Sequence, residues 1–164
     1  MKTAENKTFI KTVTLYLIRE NISVATAESC TAGMIASALG DIPGVSSIFS
    51  EGYVTYSNDA KEKNLGVPHE ILLEHGAVSE QTARAMAEGV TKKSGARLGI
   101  SSTGIAGPDG GTAEKPVGLV YIGICFDGET VVRKNLFSGT RADVREKTVL
   151  TAFEMIAKIF KIDG

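Results

Sequence analysis

Residues 26–33 combine three candidate nucleophiles with the features of a helix start. The segment Thr-Ala-Glu-Ser-Cys-Thr-Ala-Gly follows a short apolar stretch and precedes a helical pattern. A strand that ends in hydroxyls and opens a helix presents free N–H groups and a partial positive charge at one point. Such a place can bind an anion, stabilise an oxyanion or carry a nucleophile, and it can equally be an ordinary capped helix start.

Lys61 is the candidate base for a hydroxyl nucleophile, since it lies about one helical turn beyond a predicted cap. To act near neutrality it must lose about 3 units from its reference pKa, or roughly 4 kcal/mol, through burial or a neighbouring cation. The residue types alone favour a solvated helix lysine. Cys30 is the rival nucleophile because thiol pKa values fall at helix starts, although a small buried hydrophobe is at least as good an interpretation.

The sequence gives little support for catalysis by histidine or by a metal ion. The only two histidines, His69 and His75, flank a short predicted helix without a metal motif, and two ligands do not make a zinc site. We therefore expect no metal and no cofactor. Residues 104–111 hold four glycines after Ser-Ser-Thr, but they match neither a P-loop nor a dinucleotide fingerprint. A tight turn and close backbone approach to a ligand are both open interpretations.

The elements that must position these residues alternate between helix and strand. Proline, glycine and capping residues separate the periodic segments. The early alternation and a late Asp127-Gly128 hairpin signal predict a three-layer α/β/α sandwich, with a mixed sheet ending in an antiparallel hairpin. Four polar stretches could converge at one end of that sheet. Helices are predicted near 6–20, 31–39, 68–76, 79–95 and 140–160, with a further short helix that is capped at 57–59 and carries Lys61. Strands are predicted near 22–27, 47–56, 97–102, 117–126 and 130–137.

The bulk composition suits one soluble domain over residues 1–164. Hydrophobic residues make up 43% and charged residues 23%, and a net charge of −1 argues against a nucleic-acid binder. No apolar run is long enough for a membrane span, and the N-terminus lacks a signal-peptide core. We expect a cytoplasmic protein whose Cys30 and Cys125 are reduced thiols.

Five blocks in order resemble the CinA C-terminal domain family, the nicotinamide-nucleotide amidohydrolases, over about residues 6–161. Two departures concern Ala32-Gly33, where Gly-Gly is more common, and Asp109, where the family often has glycine. The blocks are TAESCTAG at 26–33, YVTYSNDAK at 53–61, HGAVS at 75–79, STGIAGPDGG at 102–111 and EKPVG at 114–118.

The resemblance implies hydrolysis of nicotinamide mononucleotide (NMN) to nicotinate mononucleotide and ammonia, without metal, in pyridine nucleotide recycling. When the family's roles are transferred to the matching blocks, the resemblance implies that Ser29 is the nucleophile and Lys61 the base. It implies that Tyr56 orients the base or relays the proton. The chain resembles the stand-alone form of the family, and the resemblance also implies a homodimer or higher homo-oligomer. A non-catalytic nucleotide-binding module and a hydrolase of a related nucleotide are the alternatives.

The substrate site is expected to surround these three residues. Glu28 is expected to face the cationic pyridinium ring, and Thr31 to cap the following helix. The backbone from Cys30 to Gly33 should supply oxyanion donors, and the glycine loop and three basic residues should hold the phosphate. The full set of expected binding residues is Glu28, Cys30, Thr31, Gly33, Thr103, Gly104, Gly107, Gly110, Gly111, Lys115, Arg141 and Arg145.

Overall fold

A mixed sheet forms the middle layer of the computed structural model, which describes residues 3–162. Its strands, in chain order, are β1 (Val24–Glu28), β2 (Phe49–Val54), β3 (Leu98–Gly104), β4 (Leu119–Phe126) and β5 (Glu129–Leu136). They lie in the spatial order β2-β1-β3-β4-β5. Strand β1 runs parallel to β2 and β3, whereas β4 is antiparallel to both β3 and β5. The predicted mixed sheet and its final hairpin are confirmed.

Helices cover both faces of this sheet. Within residues 3–162 they are α1 (Ala4–Arg19), α2 (Met34–Gly40), α3 (Asn58–Leu65), α4 (His69–His75), α5 (Glu80–Ser94) and α6 (Arg141–Phe160), with a 3-10 turn at Val45–Ser47. Helices α1, α2 and α6 pack together on one face, and α5 lies on the other with α3 and α4 against it. No helix within the described range is long and apolar enough to cross a membrane.

Buried apolar side chains join the three layers. The predicted inward face of α6 is confirmed, since Phe153 and Ile156 are fully buried in the larger core cluster. Met86 and Val90 of α5 fill a smaller cluster on the opposite face. Strand β4 is buried along most of its length because it lies inside the sheet with helices on both sides.

The predicted local signals mostly hold. The hydroxyls of Ser57, Ser79 and Thr140 each accept a hydrogen bond from the third amide beyond them, at the starts of α3, α5 and α6. Asp127 and Gly128 have φ values of 48° and 90°, as a two-residue hairpin turn requires.

The start of α2 differs from the prediction. The helix begins at Met34 rather than near Thr31, because Ala32 and Gly33 adopt left-handed φ values of 49° and 92° that a helix cannot contain. The expected Thr31 cap is therefore wrong, and its hydroxyl instead lies 2.6 Å from the hydroxyl of Ser102. Residues 29–33, which we call the nucleophile turn, form a separate turn between β1 and α2.

Candidate active site

Ser29 directly follows β1 and lies between β3 and the residue that follows β2. Its amide donates to the carbonyl of Ser102 at 2.9 Å, and the amide of Thr55 donates to the preceding carbonyl, that of Glu28, at 2.9 Å. The residue is 9% exposed. Its position is therefore fixed by backbone bonds on both sides, at the carboxyl ends of the three parallel strands.

Lys61 reaches this serine from the first turn of α3. Its Nζ donates to Ser29 Oγ at 3.2 Å and to the carbonyl of Thr55 at 2.9 Å, and the residue is only 1% exposed. Burial lowers the pKa of the Lys61 amine, because removal from water penalises the charged form. The solvated lysine that residue types alone favoured is wrong, and the pair has the geometry of a hydroxyl with an adjacent amine base.

The rival nucleophile is disfavoured by its surroundings. Cys30 is 4% exposed, and burial raises the pKa of its thiol to about 11. The expected lowering at a helix start is wrong here because α2 begins four residues later and desolvation outweighs the hydrogen bond from Ser102. At neutral pH the Cys30 thiol is protonated and enclosed, as a small core residue would be.

Glu28 occupies the start of α2 with its own side chain. Its fully buried carboxylate accepts hydrogen bonds from the amides of Gly33, Ile35 and Ala36 at 3.0, 3.0 and 2.8 Å. The expectation that Glu28 faces a substrate ring is wrong, because both oxygens are engaged with the helix. An exogenous anion cannot use the same amides, including that of Gly33.

Two amides of the nucleophile turn are not used in backbone pairing. Among the described residues, the amides of Cys30 and Thr31 donate to no backbone carbonyl, whereas that of Ala32 donates to the Ser29 carbonyl at 3.1 Å. Ser102 supports the turn through its carbonyl and hydroxyl. Sequence reasoning assigned it no role, although three hydroxyl residues at the end of a buried strand were a usable signal.

Two arginines at the start of α6 connect the surrounding segments. Arg145 donates from Nε to the Cys30 carbonyl at 3.1 Å and from Nη2 to the Thr31 carbonyl at 2.9 Å. Arg141 donates to the Gly107 carbonyl at 2.8 Å and to the Tyr56 hydroxyl at 2.9 Å. Tyr56 is 58% exposed, and no hydrogen bond within residues 3–162 joins it to the serine–lysine pair. The expected relay through Tyr56 has no direct contact to carry it.

The glycine loop, residues 104–111, folds against the start of β4. A Cβ at Gly104 would lie 2.6 Å from the Leu119 carbonyl oxygen, and one at Gly107 would lie 2.5 Å from Val117 Cγ1. A Cβ at Gly111 would lie 2.8 Å from the Val117 amide nitrogen, whereas Gly110 has space but a φ of 89°. Packing within the chain thus accounts for these glycines, and contact with a ligand stays a prediction.

Thr103 and Lys115 hold the connection between α4 and α5. Thr103 Oγ1 donates to the Ala77 carbonyl at 2.6 Å, and Lys115 Nζ donates to the His75 carbonyl at 2.7 Å. This connection is the third resemblance block, residues 75–79. Its attachment to the end of β3 and to the loop after it places the block beside the site.

The predicted convergence of the polar stretches is confirmed. Hydrogen bonds join the nucleophile turn to Lys61, to Ser102 and to Arg145, and Arg141 joins the glycine loop to Tyr56. Within residues 3–162, no group of three or more His, Cys, Asp and Glu side chains is arranged to hold a metal ion. The site brings together a serine hydroxyl, an amine and two amides that donate to no backbone carbonyl.

Comparison with known proteins identifies the family of this chain. The model of the CinA C-terminal domain family matches residues 6–160. The chain belongs to the CinA C-terminal domain family. The resemblance drawn from the five sequence blocks is thereby confirmed.

Curated CinA relatives are considerably longer than this chain. A putative competence-damage inducible protein of Clostridium perfringens is 54% identical over 148 residues, which cover 90% of this chain and 36% of the relative. One of Clostridioides difficile is 58% identical over 133 residues, covering 81% and 32%. The chain thus spans about a third of the length of these relatives.

Solved CinA structures share the whole fold. The competence/damage inducible protein CihA from Agrobacterium tumefaciens is 40% identical, with a TM-score of 0.93 over 98% of both chains. A CinA superfamily protein from Klebsiella pneumoniae is 31% identical, with a TM-score of 0.91 over 95% of this chain and 98% of that one. These similarities establish the family and the fold.

Proposed function

We propose that this chain hydrolyses the carboxamide of NMN to give nicotinate mononucleotide and ammonia, with Ser29 as nucleophile and Lys61 as base. The observation that carries the proposal is the 3.2 Å contact between the Lys61 amine and the Ser29 hydroxyl, in surroundings that lower the pKa of the amine. A buried amine beside a hydroxyl is a recurrent means of activating serine without histidine. The substrate class comes from the family resemblance.

The first half of the reaction forms an acyl-enzyme. Neutral Lys61 accepts the Ser29 proton while the serine oxygen bonds to the carboxamide carbon. The resulting oxyanion is stabilised by the amides of Cys30 and Thr31, which donate to no backbone carbonyl. The carbon–nitrogen bond then breaks, and the leaving nitrogen takes the proton back from the lysine, so that ammonia departs and the amine is neutral again.

The second half returns the enzyme to its starting state. A water molecule gives a proton to Lys61 as its oxygen bonds to the ester carbon. The ester bond breaks, Ser29 recovers its proton from the lysine, and nicotinate mononucleotide is released. The hydrogen bond from Lys61 to the Thr55 carbonyl keeps the amine oriented in both halves.

The phosphate is assigned to two of the three basic candidates. Arg141 and Lys115 each hold a carbonyl of the chain, yet each keeps N–H donors for a ligand because a guanidinium has five and an ammonium three. Both lie beside the glycine loop, whose amides would add donors. Arg145 is left out of this role because its contacts are to the nucleophile turn.

The test compares two neighbouring substitutions by ammonia release. Purified protein, Ser29→Ala and Cys30→Ala are given NMN, nicotinamide and NAD separately, with and without EDTA. We expect release from NMN, insensitive to EDTA, and a loss of about a thousandfold or more in Ser29→Ala because the nucleophile is absent. Cys30→Ala should stay within about tenfold, since a protonated buried thiol makes no bond in the reaction.

Three results would contradict the proposal. Turnover that survives Ser29→Ala but not Cys30→Ala would make Cys30 the nucleophile instead of Ser29. NMN binding without ammonia release in the unsubstituted protein would make the chain a nucleotide-binding module. Release that requires a divalent ion would indicate a different hydrolase chemistry.

A further inference from the structure

Arg145 makes an unusual pair of contacts for a basic residue near a proposed phosphate site. It lies in the second turn of α6, half-buried, and its fork spans two consecutive carbonyls of the nucleophile turn, those of Cys30 and Thr31. The Thr31 carbonyl also accepts from the amide of Met34. Among the described residues, the Cys30 carbonyl has Arg145 as its only hydrogen-bond donor.

The turn that Arg145 holds is not one the chain adopts freely. Ala32 has a φ of 49°, in the left-handed region that a residue with a Cβ adopts only at a cost in free energy. After Ala32, the Glu28 carboxylate holds the amide of Gly33. The contact between the Thr31 and Ser102 hydroxyls holds the Thr31 side chain. The Arg145 contacts to the Cys30 and Thr31 carbonyls come from a helix on another part of the chain.

Peptide planarity connects these carbonyls to the proposed oxyanion site. The only cis bond among the described residues precedes Pro108, so the Cys30–Thr31 peptide is trans. In a trans peptide the C=O and the next N–H point in opposite directions. When Arg145 draws the Cys30 carbonyl toward α6, it turns the Thr31 N–H away from α6, and no backbone carbonyl in residues 3–162 receives it.

We propose that Arg145 is a positioning residue whose guanidinium orients the Cys30–Thr31 peptide so that the Thr31 N–H faces the reacting oxyanion. Its kinetic consequence rests on the proposed amidase function. Arg145 thereby acts on catalysis through the backbone rather than through the phosphate. A planar fork suits two adjacent carbonyls, whereas a lysine at this position would supply a single centre without a fixed direction.

The kinetic test uses two substrates that differ only in the phosphate. Arg145→Lys and Arg145→Gln are assayed with NMN and with nicotinamide riboside, beside matched Arg133→Lys and Arg133→Gln controls at a distant ion pair with Glu154. We expect kcat to fall about 10- to 100-fold for both substrates with little change in KM, because one oxyanion donor is misdirected. The Arg133 variants should retain normal rates.

A phosphate-binding role would give a different pattern. KM for NMN would rise while kcat held, and nicotinamide riboside hydrolysis would be unaffected by substitution of Arg145. That pattern, or unchanged kcat with both substrates, would overturn the proposal. The Arg145→Lys variant keeps the charge and most of the volume, so a general loss of folding in Arg145→Gln does not decide the result.

Hydrogen exchange tests the positioning role without any substrate. In Arg145→Gln and Arg145→Lys we expect the Ala32 and Met34 amides, which donate to Ser29 and Thr31, to exchange on the order of tenfold faster, with Arg133→Gln unchanged. Unaltered exchange would overturn the proposal even if the protein hydrolyses NMN. Faster exchange in a protein that releases no ammonia would retain the positioning role and reject the amidase function.

Discussion

The central residue of the site is a lysine that is almost wholly removed from water. A charged amine in such a place loses hydration, and its two hydrogen-bond partners, a hydroxyl and a carbonyl, carry no compensating negative charge. Burial therefore favours the neutral amine, and this lowers the pKa of Lys61. A neutral amine with its lone pair toward Ser29 is the state that can accept a proton.

This protonation state makes the rate depend on pH. We expect kcat/KM for NMN to rise with pH through a single ionisation below 10.5, the ordinary pKa of a lysine, because only the neutral amine is active. Lys61→Arg should abolish the rising limb and nearly all activity, since a guanidinium does not lose its proton in this range. The measurement is kcat/KM between pH 6 and pH 10.

Lys63→Arg provides the matched control, because Lys63 is exposed on the same helix. It should show the same profile as the unsubstituted protein. A rate that does not change over this pH range, or an active Lys61→Arg protein, would remove Lys61 from the role of base.

At this scale the sequence predicted the participants better than their environments. Ser29 and Lys61 came from two different blocks, lie 32 positions apart in the chain, and are in contact. The expected contact of Glu28 with the substrate ring was wrong, and of the two interpretations of Cys30 the buried one holds. Whether a polar side chain is exposed to a ligand or engaged by the backbone depends on which segments pack around it, and residue types do not contain that information.

Helix α2 shows how one side chain can replace a cap at the scale of an element. The residue before this helix is Gly33, which has no side chain to cap it, and Glu28 supplies the acceptor from the preceding strand. A carboxylate at a helix start also interacts favourably with the helix dipole. The same contact fixes the far end of the nucleophile turn.

Glu28→Gln should therefore destabilise the protein by on the order of 3 kcal/mol. The amide side chain keeps one acceptor oxygen but presents N–H donors to backbone N–H groups, which leaves buried donors unsatisfied. Urea denaturation monitored by circular dichroism gives the change in unfolding free energy. Glu80→Gln is the control, because Glu80 also lies in a first helical turn but is exposed, and it should cost less than about 0.5 kcal/mol. Equal effects of the two substitutions would contradict the assigned role.

Elements whose ends are defined locally were predicted well. Hydroxyl caps at Ser57, Ser79 and Thr140 need only neighbours within one turn, and the Asp127-Gly128 hairpin needs only its own backbone. The nucleophile turn depends on partners from β3, α3 and α6. Its conformation, and with it the true start of α2, could not be deduced from local pattern.

At the scale of the whole molecule, the sheet order brings the site together. Strand β1 lies between β2 and β3, so residues after all three carboxyl ends meet at one edge of the sheet. The alternating pattern predicted the layers and the hairpin. It did not predict that β4 would pair antiparallel with β3, because buried strands of either direction have the same apolar character.

The buried thiol of Cys30 makes the stability of the whole fold depend on alkaline pH. Its pKa is about 11 in the folded protein against an ordinary value of 9.0, so the unfolded chain loses this proton first as pH rises. The stabilisation is therefore complete below pH 9 and is lost between pH 9 and 11, amounting to about 2 kcal/mol. Urea denaturation of the unsubstituted protein and of Cys30→Ala at several pH values measures it. Titration of other groups is common to both proteins and cancels when their unfolding free energies are subtracted. The difference in unfolding free energy between the two proteins should therefore shrink by about 2 kcal/mol from pH 9 to pH 11. A difference that stays constant to pH 11 would mean that the thiol ionises equally easily in the folded protein.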